Sequence, residues 1–145
     1  MDKAVAFLYV AVATIGAISV PFSKEMAVLE CKSHFAVTKN DVELIRNRRM
    51  PESQEGKCMM ACVMKKMKIM NKHGQFDLPR VKKWMRNTYK GDTAKLTKAT
   101  MIADECAKEL MTATALDECD MAVQIMNCTK KKAKLAKKAS ADVRK

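Results

Sequence analysis

Residues 54–70 read QEGKCMMACVMKKMKIM, and this run decides the fold. Its apolar residues recur at helical spacing, which predicts a helix that begins near Gln54, carries Cys58, Cys62, Met64, Met67 and Met70, and stops at the His73-Gly74 turn. Two cysteines four residues apart on a helix project from one face on consecutive turns. Each is therefore better placed to grip a different neighbouring helix than to bond its sibling.

The remaining cysteines lie outward from that pair at positions 31, 106, 119 and 128, in the order C-x26-C-x3-C-x43-C-x12-C-x8-C. An even number of cysteines on a secretory chain points to a disulfide framework rather than to reactive thiols. The secretory reading comes from the N-terminus, where Lys3 precedes an uncharged stretch over residues 4–20 and Ala17 and Ser19 supply small side chains for a signal peptidase. Cleavage is expected after Ser19. The alternative is a membrane anchor, since the run is about at the lower limit of length for spanning a bilayer, but its alanines and glycine leave it only moderately hydrophobic. The organisation expected is a signal peptide over residues 1–19, one folded domain over 20–128 and a basic tail over 129–145, all of it secreted and extracellular.

Helical signals fill the body, and no strand-like alternation of useful length occurs. Ser23 can cap a first helix through Met26, Val28, Leu29 and Cys31, and Thr38 with Asp41 resembles the cap of a second over Val42 to Arg48. Pro51, Glu52 and Ser53 form a break before the third helix. Asp77 caps a fourth, with Pro79 in its first turn, where the ring is harmless; that helix presents Val81, Trp84, Met85 and Thr88 and ends at Gly91. Asp92 or Thr93 opens a fifth helix with Leu96, Ile102, Cys106 and Leu110, and a sixth runs from about Leu116 to Cys128. Cys119 and Cys128 bracket it, so its two ends can be pinned separately. Six cysteines allow fifteen pairings, and spacing alone does not choose among them.

The gaps of three and eight residues, Cys58 to Cys62 and Cys119 to Cys128, occur together with NKHGQFDLP after the third helix and a long helical insert before Cys106. In these features the chain resembles the insect odorant-binding proteins in their six-cysteine form, over the whole stretch from Cys31 to Cys128. The resemblance implies an all-α fold of about six helices around an apolar cavity, tied by three interlocked disulfides: Cys31 with Cys62, Cys58 with Cys119, and Cys106 with Cys128. It also implies a secreted carrier of small hydrophobic molecules such as odorants or pheromones. Many members are acidic, whereas this chain carries a formal net charge of +12.

Thirteen Met stand against four Phe, two Tyr and one Trp. Flexible, polarizable thioethers suit an adaptable apolar surface, so a permissive pocket is expected. By the resemblance its lining comes from the inner faces of the third to sixth helices and the turn between the third and fourth: Met64, Met67, Ile69, Met70, Phe76, Leu78, Trp84, Met85, Ile102, Leu110, Ala122, Val123 and Met126. Burial of apolar ligand area sets a micromolar scale of affinity for such a pocket. Residues 129–145 hold eight Lys or Arg against Asp142 alone, and with so little apolar content they read as a frayed helix or a disordered extension. The alternative function is a secreted membrane-active or host-directed protein working through this tail, with an anionic membrane surface as partner. An olfactory receptor is a further candidate partner, and the chain is expected as a monomer or weak dimer.

Catalysis is not expected. His34 and His73 are the two histidines, no Gly-x-Ser-x-Gly occurs, and the later cysteines are too widely spaced for a zinc knuckle. No cofactor and no metal are expected. For a secreted chain with one Trp, two Tyr and no recognised binding motif, nucleic acid is not expected as a partner. The resemblance adds a hypothesis of pH-dependent release, in which protonation of His73, at the turn leading into the fourth helix, loosens the pocket mouth.

Overall fold

A computed structural model of the protein describes residues 23–144, so the expected signal peptide lies outside the described residues. Six helices follow in order: α1 (Lys24–Lys32), α2 (Lys39–Arg46), α3 (Gln54–Lys66), α4 (Leu78–Thr88), α5 (Thr93–Met111) and α6 (Glu118–Asp142). Each begins at a residue whose side-chain oxygen accepts a backbone N–H of the first turn. Ser23, Thr38, Ser53, Asp77, Asp92 and Asp117 serve in turn. Such caps satisfy donors that the helix itself leaves free. Pro79 sits in the first turn of α4, where its missing N–H costs nothing.

α3 is the centre of the bundle. It packs most extensively on α6 and also touches α1 and α2, while α5 bridges α6 to α4. The three disulfides are Cys31–Cys62, Cys58–Cys119 and Cys106–Cys128, which tie α1 to α3, α3 to α6 and α5 to α6. Ion pairs follow the same seams. Lys66 meets Glu30 between α3 and α1, and Lys65 meets Glu118 at the start of α6.

The helix bounds shift by a few residues from the sequence expectation, α2 for example running over Lys39–Arg46 and stopping before Arg48 (φ +55°), and two ends differ more. α3 stops at Lys66 because Lys68 takes a left-handed backbone (φ +63°), so Met67 and Met70 belong to the following turn rather than to the helix. Met70 there forms an isolated antiparallel bridge with Phe76. Gly74 in the same turn has φ +74°, and a Cβ on it would stand 2.9 Å from the Cβ of Glu118, so only glycine lets the turn lie against α6. The second difference is larger: α6 does not end at Cys128 but continues unbroken to Asp142. Contacts to α5 accompany the continuation: the Lys132 Nζ lies 3.2 Å from Glu105 and 3.8 Å from Glu109. Lys98 on α5 adds a hydrogen bond of 3.2 Å to the Ser140 hydroxyl near the far end.

Asp41 is buried and holds α2 to the start of α3. Its Oδ1 accepts the backbone N–H groups of Glu52 (3.0 Å) and Ser53 (3.4 Å), and its Oδ2 accepts the hydroxyls of Ser53 (2.5 Å) and Thr38 (3.2 Å). Gly56 gives the carboxylate room, since a Cβ there would approach Asp41 and Pro51 to 2.8 Å. The hydrogen bond from Ser53, with help from the other donors, holds the Asp41 carboxyl below its ordinary pKa against the opposing effect of burial. A depressed folded pKa stabilises the fold above the unfolded value, and that contribution is lost as pH falls through the folded value. Stability should therefore decline below about pH 4. Asp41→Asn should flatten that part of the urea-midpoint profile while costing about 2 kcal/mol at neutral pH, and an unchanged acid limb would refute the assignment.

The disulfides rank by the loops they close, with sequence separations of 61, 31 and 22 for Cys58–Cys119, Cys31–Cys62 and Cys106–Cys128. On the chain-entropy account, removing the first should cost about 4 kcal/mol and removing the last about 3.4 kcal/mol. Paired Cys→Ser variants compared by denaturant midpoint test the order.

Candidate functional site

The bundle interior is built from methionine. Met59, Met60 and Met70 are among the largest fully buried side chains, and Met64 joins them in one core cluster with Val28, Val63, Ala122 and Ile125. α3 delivers Met59 and Met60 because positions 59, 60, 63 and 64 form its inner stripe. The α3–α4 turn adds Met70, with Met67, Ile69 and Phe76 packed against the cluster from its edge. α6 contributes Ala122 to the cluster, with Val123 and Met126 beside it, and α5 contributes Leu110 with Ile102 beside it.

Ten of the thirteen expected lining residues are thus gathered in or against one core. Leu78, Trp84 and Met85 are not; they ride on α4, which meets only α5 among the helices. Trp84 is 43% exposed and packs edge-on against Tyr89, with ring centroids 6.3 Å apart. Met59 and Met60, the most deeply buried methionines of α3, were outside the expected set. The signal for them was present: Met59 with Val63 and Met60 with Met64 are i,i+4 pairs on the helix that carries the two cysteines.

Asp41 is the only buried charged or polar residue described, and its oxygens are fully engaged in the α2–α3 junction. No buried side-chain nitrogen or oxygen among the described residues lacks a hydrogen-bond partner. The core thus has no spare donor or acceptor with which to select a polar cargo, and discrimination inside it rests on shape and apolar area. His73 is exposed in the turn, where its backbone N–H donates to Asn71 Oδ1 at 2.9 Å; His34 is exposed beside Cys31. The described residues contain no cluster of three or more His, Cys, Asp or Glu arranged to hold a metal. None of the described helices is long and apolar enough to cross a membrane.

Two open grooves border α6. One, of about 310 Å³, lies between α5 and α6 around Leu110, Gln124 and Lys131. The other, of about 840 Å³, lies between the first half of α5 and the extension of α6; Ile102 is its only wall residue from the expected set.

Comparison with known proteins accords with this architecture. The pheromone-binding and general odorant-binding protein model, PBP/GOBP, matches residues 23–132. General odorant-binding protein 19d of Drosophila melanogaster is 31% identical over 99 residues, 68% of this chain, and the match spans 64% of that relative's length. Among solved structures, an odorant-binding protein of Drosophila melanogaster superposes with a TM-score of 0.65 at 26% identity, covering 78% of this chain and 91% of the other. A pheromone-binding protein of the cockroach Leucophaea maderae, solved in complex with the fluorescent reporter ANS, gives 0.58 at 26% identity, covering 78% and 97%. Six helices, three interlocked disulfides and a match across most of the chain agree: this protein belongs to the PBP/GOBP family.

Proposed function

We propose that the protein is a secreted carrier that takes up small hydrophobic molecules within the methionine-rich interior and transports them through extracellular fluid. The observation that carries this reading is the apolar core held inside a disulfide frame, with no buried side-chain nitrogen or oxygen among the described residues left without a partner. Thioether side chains change rotamer at little cost, so Met60, Met64 and Met70 can shift aside for a guest where branched residues would resist. The guest gains by transferring apolar area out of water and makes no demand on directed hydrogen bonds. Entry runs past the α3–α4 turn, whose Met67, Ile69 and Phe76 are only partly buried. The related cockroach protein was crystallised with ANS, which makes that dye the natural probe.

The full mature chain should bind ANS saturably and release it to odorant-sized lipophiles, with dissociation constants of about micromolar order. Met64→Lys places a charge at the edge of the core, where its stem can still reach water, and should weaken displacement by roughly tenfold or more. Trp84→Phe should leave affinity within about twofold, because Trp84 lies outside the core cluster. Equal affinities for wild type and Met64→Lys, in proteins with matching thermal transitions, would place the cargo elsewhere.

A further inference from the structure

The extension of α6 beyond Cys128 creates a wall that the rest of the bundle does not use. With the first half of α5 it borders the open groove of about 840 Å³. Ala94 and Ile102 on one side and Leu135, Ala136 and Ala139 on the other make it apolar, and Met101 and Leu135 stand 58% and 54% exposed on it. Side chains this apolar are left half-open because the facing residues are too small to close the seam.

The two ends of the groove differ in charge. At one end Lys132 is neutralised by Glu105 and Glu109. At the other Lys98 has only the neutral Ser140 hydroxyl, 3.2 Å away, and no ion pair among the described residues. Thr93 and Ala94, the first residues of α5, line that same end, where the helix dipole is positive; Asp92 at the cap is paired with Lys95 at 3.1 Å. Asp142 is the only acid of α6 after Asp120, against six lysines. An apolar trough closed at one end by an ion pair and bordered at the other by an unmatched ammonium is complementary to an aliphatic chain with an anionic head.

We propose that this groove is a second, external binding site for a free long-chain carboxylate, its chain lying between Met101 and Leu135 and its head at Lys98. Lys98 to Glu105 along α5 and Ser140 to Lys132 along α6 span about 10 to 12 Å at 1.5 Å per residue, the length of the extended chain of decanoate, with the last carbons of dodecanoate lying over the Lys132 ion pair. A second copy of the chain is a poor occupant, because docking would bring two lysine-rich rims together at a net charge of +12 each. The site is independent of cargo in the core, since Ile102 alone touches both.

Methionine methyl resonances separate the two sites. Full-length mature protein labelled at methionine methyls would be titrated with dodecanoate below its micellar concentration, with Met101→Leu used only to assign the groove signal. Met101 should shift saturably, and affinity should rise by roughly twofold per methylene from octanoate to decanoate and little further to dodecanoate, because an open groove buries about half of each group and ends at the Lys132 ion pair. Lys98→Gln should weaken dodecanoate by about two- to fivefold and leave 1-dodecanol unchanged. Ala136→Trp, which fills the trough, should abolish the Met101 response to both; Leu135→Gln, at a half-exposed position, should weaken both should the tryptophan disturb folding. Three results overturn the proposal: shifts confined to Met59, Met60, Met64 and Met70; a Met101 response to phosphatidylserine vesicles but not to dodecanoate; or a Met101 shift on concentrating the protein alone.

Discussion

Cys58 and Cys62 stand on consecutive turns of α3, and the two bonds they make in different directions hold the whole arrangement. Cys62 fixes α1 and Cys58 fixes the start of α6, so the helix bearing Met59, Met60, Val63 and Met64 cannot move away from either wall of the core. The Cys106–Cys128 bond then joins α5 to α6 one loop further out. A small domain with a soft methionine interior would otherwise depend on packing alone, and thioethers specify packing poorly. With the frame covalent, the interior can be adaptable without the fold becoming so.

Tethering is uneven, and the unevenness bears on function. α2 carries no cysteine and is held instead by the Asp41 carboxylate, a polar junction that burial strengthens only because every lone pair in use has a donor. α4 has neither a disulfide nor a buried polar anchor. It touches α5 alone among the helices and connects to α3 through the turn of Met67 to Asp77. Local opening should concentrate where buried contacts are fewest, which puts α4 and this turn at the low end of the stability range.

Much of this was legible from residue chemistry. Ser23, Thr38, Asp77 and Asp92 announced four helix starts, because capping needs only a short polar side chain ahead of an apolar period, and that information is local. The end of α3 was not legible in the same way: Lys68 adopts a left-handed backbone without being Gly or Asn, so no residue type marked the stop. Trp84 misled for a related reason. Its place in the helical period is correct, but α4 lacks a second partner to cover that face, and only Val81 is buried along the helix. Partners are a tertiary fact, and periodicity does not name them. The disulfide pairing likewise needed the family likeness, since fifteen arrangements satisfied the spacing.

The segment after Cys128 shows where composition and local pattern part company. Counting apolar residues over 129–145 gives almost nothing for a core, and disorder follows if the segment is judged by itself. Yet Lys132, Ala136 and Ala139 continue on α6 the i,i+3 and i,i+4 spacing begun by Ile125 and Cys128, and on α5 Glu105 and Glu109 stand opposite Lys132. Part of the charge that made the segment look like a free polycation is therefore committed within the bundle. What is left over is asymmetric: a lysine neutralised at one end of the α5–α6 seam, an unmatched one at the other, and small side chains between that fail to close it. A tail acting purely through diffuse charge would have no use for an apolar trough aligned along that gradient. The seam along the helical extension thus gives it a shape as well as a charge.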